Sequence, residues 1–209
     1  MAYDALIFDL GGVIIPHDNE QLFRRLAGRC AAPGAMAWLK AAAQDERHGT
    51  GELAIPDLHR MLVEEIGYGG DWETFVQDWS SHLEIDWEML GLAERLAASN
   101  RVLLFSNTNR EHWEHVQGAT DGRLGRFEGY MSHEIAAVKP HADAFRLVAR
   151  LAGLDPGRCL FIDDRAENVE GAREAGFHAE VFVGRTQLEE LLRAAGVTWP
   201  DTASLERTP

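Results

Sequence analysis

Near its N-terminus the chain reads Ala5-Leu6-Ile7-Phe8-Asp9-Leu10-Gly11-Gly12-Val13. A short apolar run that ends in glycines predicts a buried strand whose chain leaves the sheet at Asp9. An aspartate placed directly after four apolar residues would be a costly buried charge if it had no task. The stretch therefore predicts the first strand of the fold and, at its end, a candidate functional residue.

The second half of the chain alternates between predicted strands and predicted helices. We expect strands at residues 101–105, 129–132, 159–162 and 180–183, and helices at residues 110–117, 142–152, 166–175 and 186–195. Strands that alternate with helices of this length form right-handed βαβ units around a parallel sheet. The expected fold is therefore α/β, with a parallel Rossmann-like sheet that carries helices on both faces.

The segment between the first two predicted strands has a different composition. Residues 16–99 are rich in Ala, Leu, Trp, Glu and Arg at helical spacing and predict four or five helices and no strand. Because this segment interrupts the alternation, we interpret it as an all-α cap inserted after the first strand. Residues 1–15 plus 100–197 would then form the core. Residues 198–209 have no clear periodicity and are expected to form a tail.

The composition excludes several classes of protein. Among 209 residues, 34 acidic side chains outnumber 20 basic ones, which gives a formal net charge of −14. This charge disfavours a nucleic-acid partner, whose phosphates need a surface rich in Lys and Arg. The N-terminus lacks the basic region of a signal peptide, and no apolar run approaches the ~18–20 residues of a membrane span. We therefore expect a cytoplasmic monomer or homodimer with neither a nucleic acid nor a membrane as partner.

Polar residues follow the predicted strands, at the edge of the sheet where ligands of open parallel sheets bind. These residues are Asp9, Ser106, Asn107, Lys139, Asp163 and Asp164, with Asn168 four residues further on. A carboxylate can attack phosphorus, and two carboxylates with a backbone carbonyl suit Mg²⁺. A hydroxyl, an amide and an ammonium group can donate hydrogen bonds to phosphate oxygens. The set therefore indicates phosphoryl transfer.

Four segments resemble, in order, the four motifs of the haloacid dehalogenase (HAD) superfamily. They are Phe8-Asp9-Leu10-Gly11-Gly12-Val13, Phe105-Ser106-Asn107, Lys139-Pro140 and Phe161-Ile162-Asp163-Asp164. The predicted helical insertion resembles the small α-helical cap of that superfamily. Within it, residues 106–110 and 163–172 are similar to bacterial α-glucose-1-phosphate phosphatases and to the phosphatase domain of soluble epoxide hydrolases.

The resemblance implies a role for each candidate residue. Asp9 would be the nucleophile and would bind Mg²⁺ together with Asp164 and the backbone carbonyl of Gly11, while Asp163 would orient the water of the metal. The phosphate would be held by Ser106, Asn107 and Lys139. The implied function is a Mg²⁺-dependent phosphatase that acts on a small phosphorylated metabolite, best a sugar phosphate, through an aspartyl phosphate.

One position departs from the family pattern. Phosphatases of the superfamily usually carry a second aspartate, a general acid and base, two residues after the nucleophile, and here that position is Gly11. In one interpretation His17 or Asp18 replaces the acid, whose contribution is about 10²–10⁴-fold in rate. In a second, the leaving group needs little protonation, as in a sugar 1-phosphate. In a third, turnover is lost and the protein is a non-catalytic or regulatory HAD-like binding protein.

A 2-haloacid dehalogenase is a weaker alternative. Those enzymes attack a carbon–halogen bond without a metal, so the pair Asp163-Asp164 would have no task there.

Several candidate residues also have ordinary structural interpretations. Asp164 with Glu167 fits a capping box at the start of a helix, Ser106-Asn107 fits turn chemistry, and Lys139 fits a solvated loop charge. His112 and His115 lie three residues apart on a predicted helix. With no third metal ligand nearby in the sequence, we expect them on a solvated helix face.

Overall fold

The computed structural model describes residues 3–200. Its strands are β1 (Ala5–Phe8), β2 (Val102–Ser106), β3 (Glu128–Met131), β4 (Cys159–Asp163) and β5 (His178–Val181). Its α-helices are α1 (Asn19–Ala27), α2 (Ala35–Ala42), α3 (Arg47–Thr50), α4 (Ile55–Ile66), α5 (Trp72–Ser80), α6 (Trp87–Ala97), α7 (Arg110–Ala119), α8 (Ser132–Ile135), α9 (Ala142–Ala152), α10 (Ala166–Glu174) and α11 (Arg185–Ala194).

The strands form one parallel sheet in the order β3-β2-β1-β4-β5. Along the central strand β1, Leu6 and Phe8 pack into one apolar cluster, whereas Ala5 and Ile7 pack into the other, because successive side chains point to opposite faces. The first sheet cluster includes residues of α6, α7 and α11, and the second includes residues of α9 and α10. Helices cover both faces, which confirms the predicted α/β fold.

The edge strand β5 begins two residues earlier than predicted. The sequence pattern placed it at residues 180–183, whereas it covers His178–Val181 and pairs with β4. The apolar run Val181-Phe182-Val183 indicated a strand in this region but not that its pairing with β4 begins at His178.

The segment 16–99 contains six helices rather than four or five. Helices α1, α2, α4 and α5 share an apolar cluster of their own. Helix α6 instead packs in the first sheet cluster, through Met89, Leu90, Leu92, Ala93 and Leu96. Its apolar stripe predicted a helix but could not indicate which cluster the helix joins. We therefore propose that the cap ends before Trp87 rather than at residue 99.

The segment expected to form a tail begins in contact with the core. The backbone carbonyl of Thr198 accepts a hydrogen bond from Asn100 Nδ2 at 2.9 Å, and Trp199 packs against the first sheet cluster. Residues 201–209, the rest of the predicted tail, lie outside the described residues.

A buried carboxylate links α5 to α1 and to the residue Tyr68 after α4. Asp78 on α5 accepts hydrogen bonds from Arg25 Nε at 2.7 Å, Arg29 Nε at 2.5 Å and the Tyr68 hydroxyl at 2.9 Å. Burial raises the pKa of Asp78, but these three donors together outweigh burial, so its pKa lies below the usual value. A group with a lowered pKa in the folded state stabilises the fold above its unfolded pKa, and this contribution is lost as the pH falls through the lowered value.

We expect Asp78→Ala to destabilise the protein by about 2 kcal/mol at pH 7, because the Tyr68 hydroxyl and two half-exposed guanidinium groups lose their acceptor. Urea unfolding followed by circular dichroism measures the difference. The matched control is Asp143→Ala, which removes an exposed carboxylate paired with Arg146 and should change stability little. Equal effects of the two substitutions would contradict the role given to Asp78.

Candidate active site

The carboxyl ends of three neighbouring strands bring the candidate residues together. The register pairs Phe8 with Ile162, so the next residues, Asp9 and Asp163, leave the sheet side by side. Ser106 ends β2 on the other side of β1. The side chains of Asp9, Ser106 and Asp163 are all buried, so each needs polar partners in the protein or in a ligand.

Lys139 lies between the two aspartates. Its Nζ is 2.9 Å from Asp9 Oδ1 and 2.6 Å from Asp163 Oδ2, and the residue is only 3% exposed. The ammonium group also lies 5.5 Å from the ring centre of Phe105 and 5.3 Å from that of Phe161, within the range of cation–π attraction. The interpretation of Lys139 as a solvated loop charge is therefore wrong.

The backbone of Lys139 is fixed by the side chain of Asn107. Asn107 Oδ1 accepts a hydrogen bond from Lys139 N at 2.9 Å, and Asn107 Nδ2 donates to Lys139 O at 2.8 Å. These two bonds tie the loop that carries Lys139 to the end of β2. Asn107 thus positions the lysine, a role that the sequence did not indicate.

Asp163 is held by hydrogen bonds on both oxygens. Besides the Lys139 ammonium, Asp163 accepts from Asn168 Nδ2 at 2.9 and 3.0 Å and from Arg165 N at 2.9 Å. Its lone pairs are engaged inside the protein, so it can position Lys139 rather than bind a ligand directly. The sequence placed Asn168 near this edge of the sheet but gave it no role; in the structure it lies in the first turn of α10 and binds Asp163.

Burial dominates the charge state of Asp9. The pKa of Asp9 is raised to about 7 because burial and the nearby Asp163 carboxylate, which raise it, outweigh the Lys139 ammonium, which lowers it. The Leu10 backbone N–H and Lys139 Nζ both lie against Oδ1, at 2.7 and 2.9 Å. The other oxygen, Oδ2, is therefore the one available for reaction or for a metal.

Three carboxylates form a group that fits a hard divalent cation. One oxygen from each of Asp9, Asp163 and Asp164 lies within 4.8 Å of the others. Asp164 Oδ1 is buried and has no hydrogen-bond partner among residues 3–200, and burial raises the pKa of Asp164. A partner that supplies positive charge would relieve both features, and carboxylate oxygens are the ligands that Mg²⁺ prefers. Asp9 and Asp164 retain free oxygens for such an ion.

Gly12 makes room for Asp164. A Cβ atom at position 12 would overlap the Asp164 carboxylate, and Gly12 has φ +69°, a conformation that favours glycine. The N-cap of α10 is Arg165, so Asp164 does not cap this helix as a capping box would require. The Asp164 carboxylate instead packs against the backbone of Gly12 and lines the same cavity as Asp9.

A cavity of about 240 Å³ opens above these residues, and His17 forms part of its wall. A Cβ atom built on Gly11 would lie 3.4 Å from His17 Cε1, 3.6 Å from His17 Nδ1 and 4.0 Å from Asp9 Oδ2. The imidazole therefore stands beside the space that a longer side chain at position 11 would enter. Asp18 instead caps α1 by accepting from Gln21 N at 3.0 Å, and it is absent from the residues that line this cavity.

His112 also lines the cavity, so the expectation that it lies on a solvated helix face is wrong. Asn109 Oδ1 accepts from His112 N, which leaves Asn109 Nδ2 to donate to His112 Nδ1 at 3.2 Å. The proton must then be on Nε2, which donates to the Trp79 carbonyl at 3.0 Å. Burial lowers the pKa of His112 to about 3. This neutral histidine joins core helix α7 to cap helix α5; His115 is exposed.

Known proteins with related sequences are phosphatases. The chain is 26% identical over 182 residues to the D-ribitol-5-phosphate phosphatase of Bacteroides thetaiotaomicron. The matched region covers 82% of this chain and 88% of the relative. It is 35% identical over 92 residues to the enolase-phosphatase E1 of Parvibaculum lavamentivorans, over 43% of this chain and 38% of the relative.

Solved structures share the fold. The HAD family enzyme bt-2542 of Bacteroides thetaiotaomicron superposes with a TM-score of 0.81 at 24% identity, covering 91% of this chain and 99% of that one. A complex of the same enzyme with magnesium and inorganic phosphate gives a TM-score of 0.76 at 25% identity, covering 88% and 96%. Within residues 3–200 no helix is long and apolar enough to cross a membrane. A family model described as haloacid dehalogenase-like hydrolase matches residues 3–176, and the chain therefore belongs to the haloacid dehalogenase-like hydrolases.

Proposed function

We propose that this hydrolase is a Mg²⁺-dependent phosphatase that removes phosphate from a small phosphorylated metabolite, a sugar or polyol phosphate. One observation carries the proposal, the surroundings of the buried Asp9. The buried Lys139 ammonium lies against its Oδ1. Asp164, whose Oδ1 has no partner within residues 3–200, has a carboxylate oxygen within 4.8 Å of one from Asp9. The relatives named as phosphatases support the reaction class. The finer similarity to α-glucose-1-phosphate phosphatases stays a prediction.

In the proposed first step Asp9 Oδ2 attacks phosphorus, the bond from phosphorus to the leaving oxygen breaks, and an aspartyl phosphate forms. Lys139 and Ser106, which line the same cavity, offer an ammonium group and a hydroxyl to the phosphate oxygens. In the second step water attacks phosphorus and releases Asp9 and inorganic phosphate. Mg²⁺, held by Asp9, Asp164 and the Gly11 carbonyl, would neutralise charge on the phosphate when bound.

We infer that His17 replaces the missing aspartate. His17 and Asp9 Oδ2 both border the space that a side chain at position 11 would enter, whereas Asp18 caps the N-terminus of α1. His17 is exposed and lines the cavity. In the first step it would give a proton to the leaving oxygen, and in the second it would take one from the attacking water.

Leaving-group dependence tests this assignment. We expect His17→Ala to lower kcat for an alkyl phosphate about 10²-fold, because an alkoxide leaves poorly without a proton. The loss for p-nitrophenyl phosphate should be small, since p-nitrophenolate leaves readily unprotonated. The matched variant Asp18→Asn should have little effect on either substrate. In His17→Ala, a second substitution Gly11→Asp should restore part of the lost alkyl phosphatase activity. Equal losses on both substrates would argue against His17 as the acid.

Release of p-nitrophenol from p-nitrophenyl phosphate tests the proposed function as a whole. Turnover is expected with Mg²⁺ and should disappear in EDTA. Absence of turnover with this substrate and with a panel of sugar and polyol phosphates would favour a non-catalytic binding protein instead.

A further inference from the structure

A second cavity lies beside the active-site cavity. The second cavity has a volume of about 470 Å³ and shares part of its wall with the first, including Asn19, His82, Asn107 and His112. Cap residues from α1 to α3 line it on one side and core loops line it on the other. These two neighbouring cavities are here called the cleft, which has Asp9 in the wall of its first cavity and α1 and α3 in the wall of its second.

Buried polar atoms without partners are concentrated along the cleft. Within residues 3–200, five buried side-chain nitrogen or oxygen atoms have no hydrogen-bond partner. Four of them belong to residues that line the cleft: His48 Nδ1, Trp79 Nε1, His82 Nδ1 and Asp164 Oδ1. A buried polar atom left unpaired destabilises the folded state. The proposed metal accounts for Asp164 Oδ1. The other three lie along the cleft and point to a ligand whose polar groups would pair with them.

His82 is the best placed of the four for a ligand that extends away from Asp9. It is 4% exposed and lines both cavities. Its ring centre lies 6.3 Å from that of His17 and 5.3 Å from that of His112. Both nitrogens of His112 are already engaged with Asn109 and Trp79. Burial lowers the pKa of His82 to about 4, so at neutral pH it offers an uncharged nitrogen.

The charges beyond Asp9 disfavour a second anionic group on the ligand. Asp45, Glu46 and Glu167 line the second cavity. The two cations that also line it are already paired, Arg165 with Glu167 and Lys139 with Asp9 and Asp163. Another carboxylate or phosphate there would meet like charges. Neutral imidazole and indole nitrogens suit hydroxyl groups, which both donate and accept hydrogen bonds.

We propose that the cleft binds the leaving group of the substrate, that this group is an uncharged carbon chain bearing several hydroxyls, and that His82 is a specificity-determining residue that hydrogen-bonds one of them. The inference rests on the proposed function, which places the phosphate at Asp9. It goes further by assigning the recognition of the hydroxyls to a residue that neither the motifs nor the relatives indicate.

Binding measured without turnover tests the proposal. Isothermal titration calorimetry on Asp9→Asn protein with Mg²⁺ would compare a pentitol phosphate with n-pentyl phosphate, which has the same chain length but no hydroxyls. We expect the pentitol phosphate to bind about 10-fold more tightly or better, because a site built for hydroxyls leaves its polar groups unpaired with the alkyl chain. Equal affinities, or tighter binding of pentyl phosphate, would overturn the proposal.

Variants of His82 identify the residue responsible. In the same background His82→Leu should weaken pentitol phosphate about 10-fold and pentyl phosphate less than about threefold. His82→Asn, which retains a side-chain nitrogen, should recover most of the loss and serves also if the Leu variant folds poorly. His59→Leu makes the same change on α4, outside the residues that line the cleft, and should alter neither affinity. Equal weakening of both ligands by His82→Leu would overturn the role of His82.

The two proposals fail in different experiments. Hydrolysis of p-nitrophenyl phosphate by the wild-type protein tests the phosphatase activity, whereas the affinity ratio of the two phosphate esters tests the cleft. A protein that turns over p-nitrophenyl phosphate but binds both esters equally would keep the proposed function and refute the hydroxyl subsite.

Discussion

Asp9→Asn is expected to lower turnover of p-nitrophenyl phosphate by about 10⁴-fold or more, which is the scale of loss when a catalytic nucleophile is removed. An amide oxygen is a poor nucleophile, so no covalent phosphoryl intermediate would form. The fold should survive, because the amide oxygen of the variant can still accept from the Leu10 backbone N–H and the buried side chain no longer carries a titrating carboxyl. We expect the unfolding free energy to change by less than about 1 kcal/mol.

The control for this experiment lies at the other end of the same strand. Asp4, just before β1, forms an exposed ion pair with Arg158, and Asp4→Asn makes the identical chemical change there. Turnover in Asp4→Asn should equal that of the wild-type protein. Release of p-nitrophenol and a urea unfolding curve are measured for all three proteins. A folded Asp9→Asn protein with more than a few per cent of wild-type turnover would exclude Asp9 as the nucleophile.

The sheet could be predicted because its central strands are buried on both faces. All residues of β1, β2 and β4 are buried, and such strands have continuous apolar runs that stand out in a sequence. The ends of these runs then located the residues of the carboxyl edge. Predictions were weaker where local pattern leaves the tertiary partner open, as for the start of β5 and the packing of α6.

The candidate site was predicted only in part, for a related reason. Asp9, Asp163 and Lys139 were found because each lies at the end of a strand or in a family motif. Asn107 holds the backbone of Lys139, and His112 joins α7 to α5. Both contacts link residues more than 30 positions apart in the sequence. Neither spacing nor composition encodes such contacts. The choice between His17 and Asp18 likewise required the geometry around Gly11.

Lys139→Met should impair both turnover and stability, because it removes the cation that lies between two buried carboxylates. We expect turnover to fall about 10³-fold, since Lys139 Nζ lies 2.9 Å from Asp9 and in the proposed mechanism donates to the phosphate. Removing one partner from a buried ion pair costs about 3–5 kcal/mol, and we expect a loss of this size at pH 8 in EDTA. The matched control is Lys40→Met at the only other lysine of the chain, which pairs with Glu20 on the surface and should change stability little.

The stability loss in Lys139→Met should depend on pH in a defined direction. Burial raises the pKa of Asp9 to about 7 even though the Lys139 ammonium lowers it, so without Lys139 this pKa should rise further. A carboxyl whose pKa is raised in the folded state favours folding at low pH, and that contribution is lost as the pH rises through the folded pKa. The difference in unfolding free energy between variant and wild type should therefore shrink from pH 8 to pH 5 in urea titrations. A difference that is the same at both pH values would show that Lys139 stabilises the fold by packing rather than by its charge.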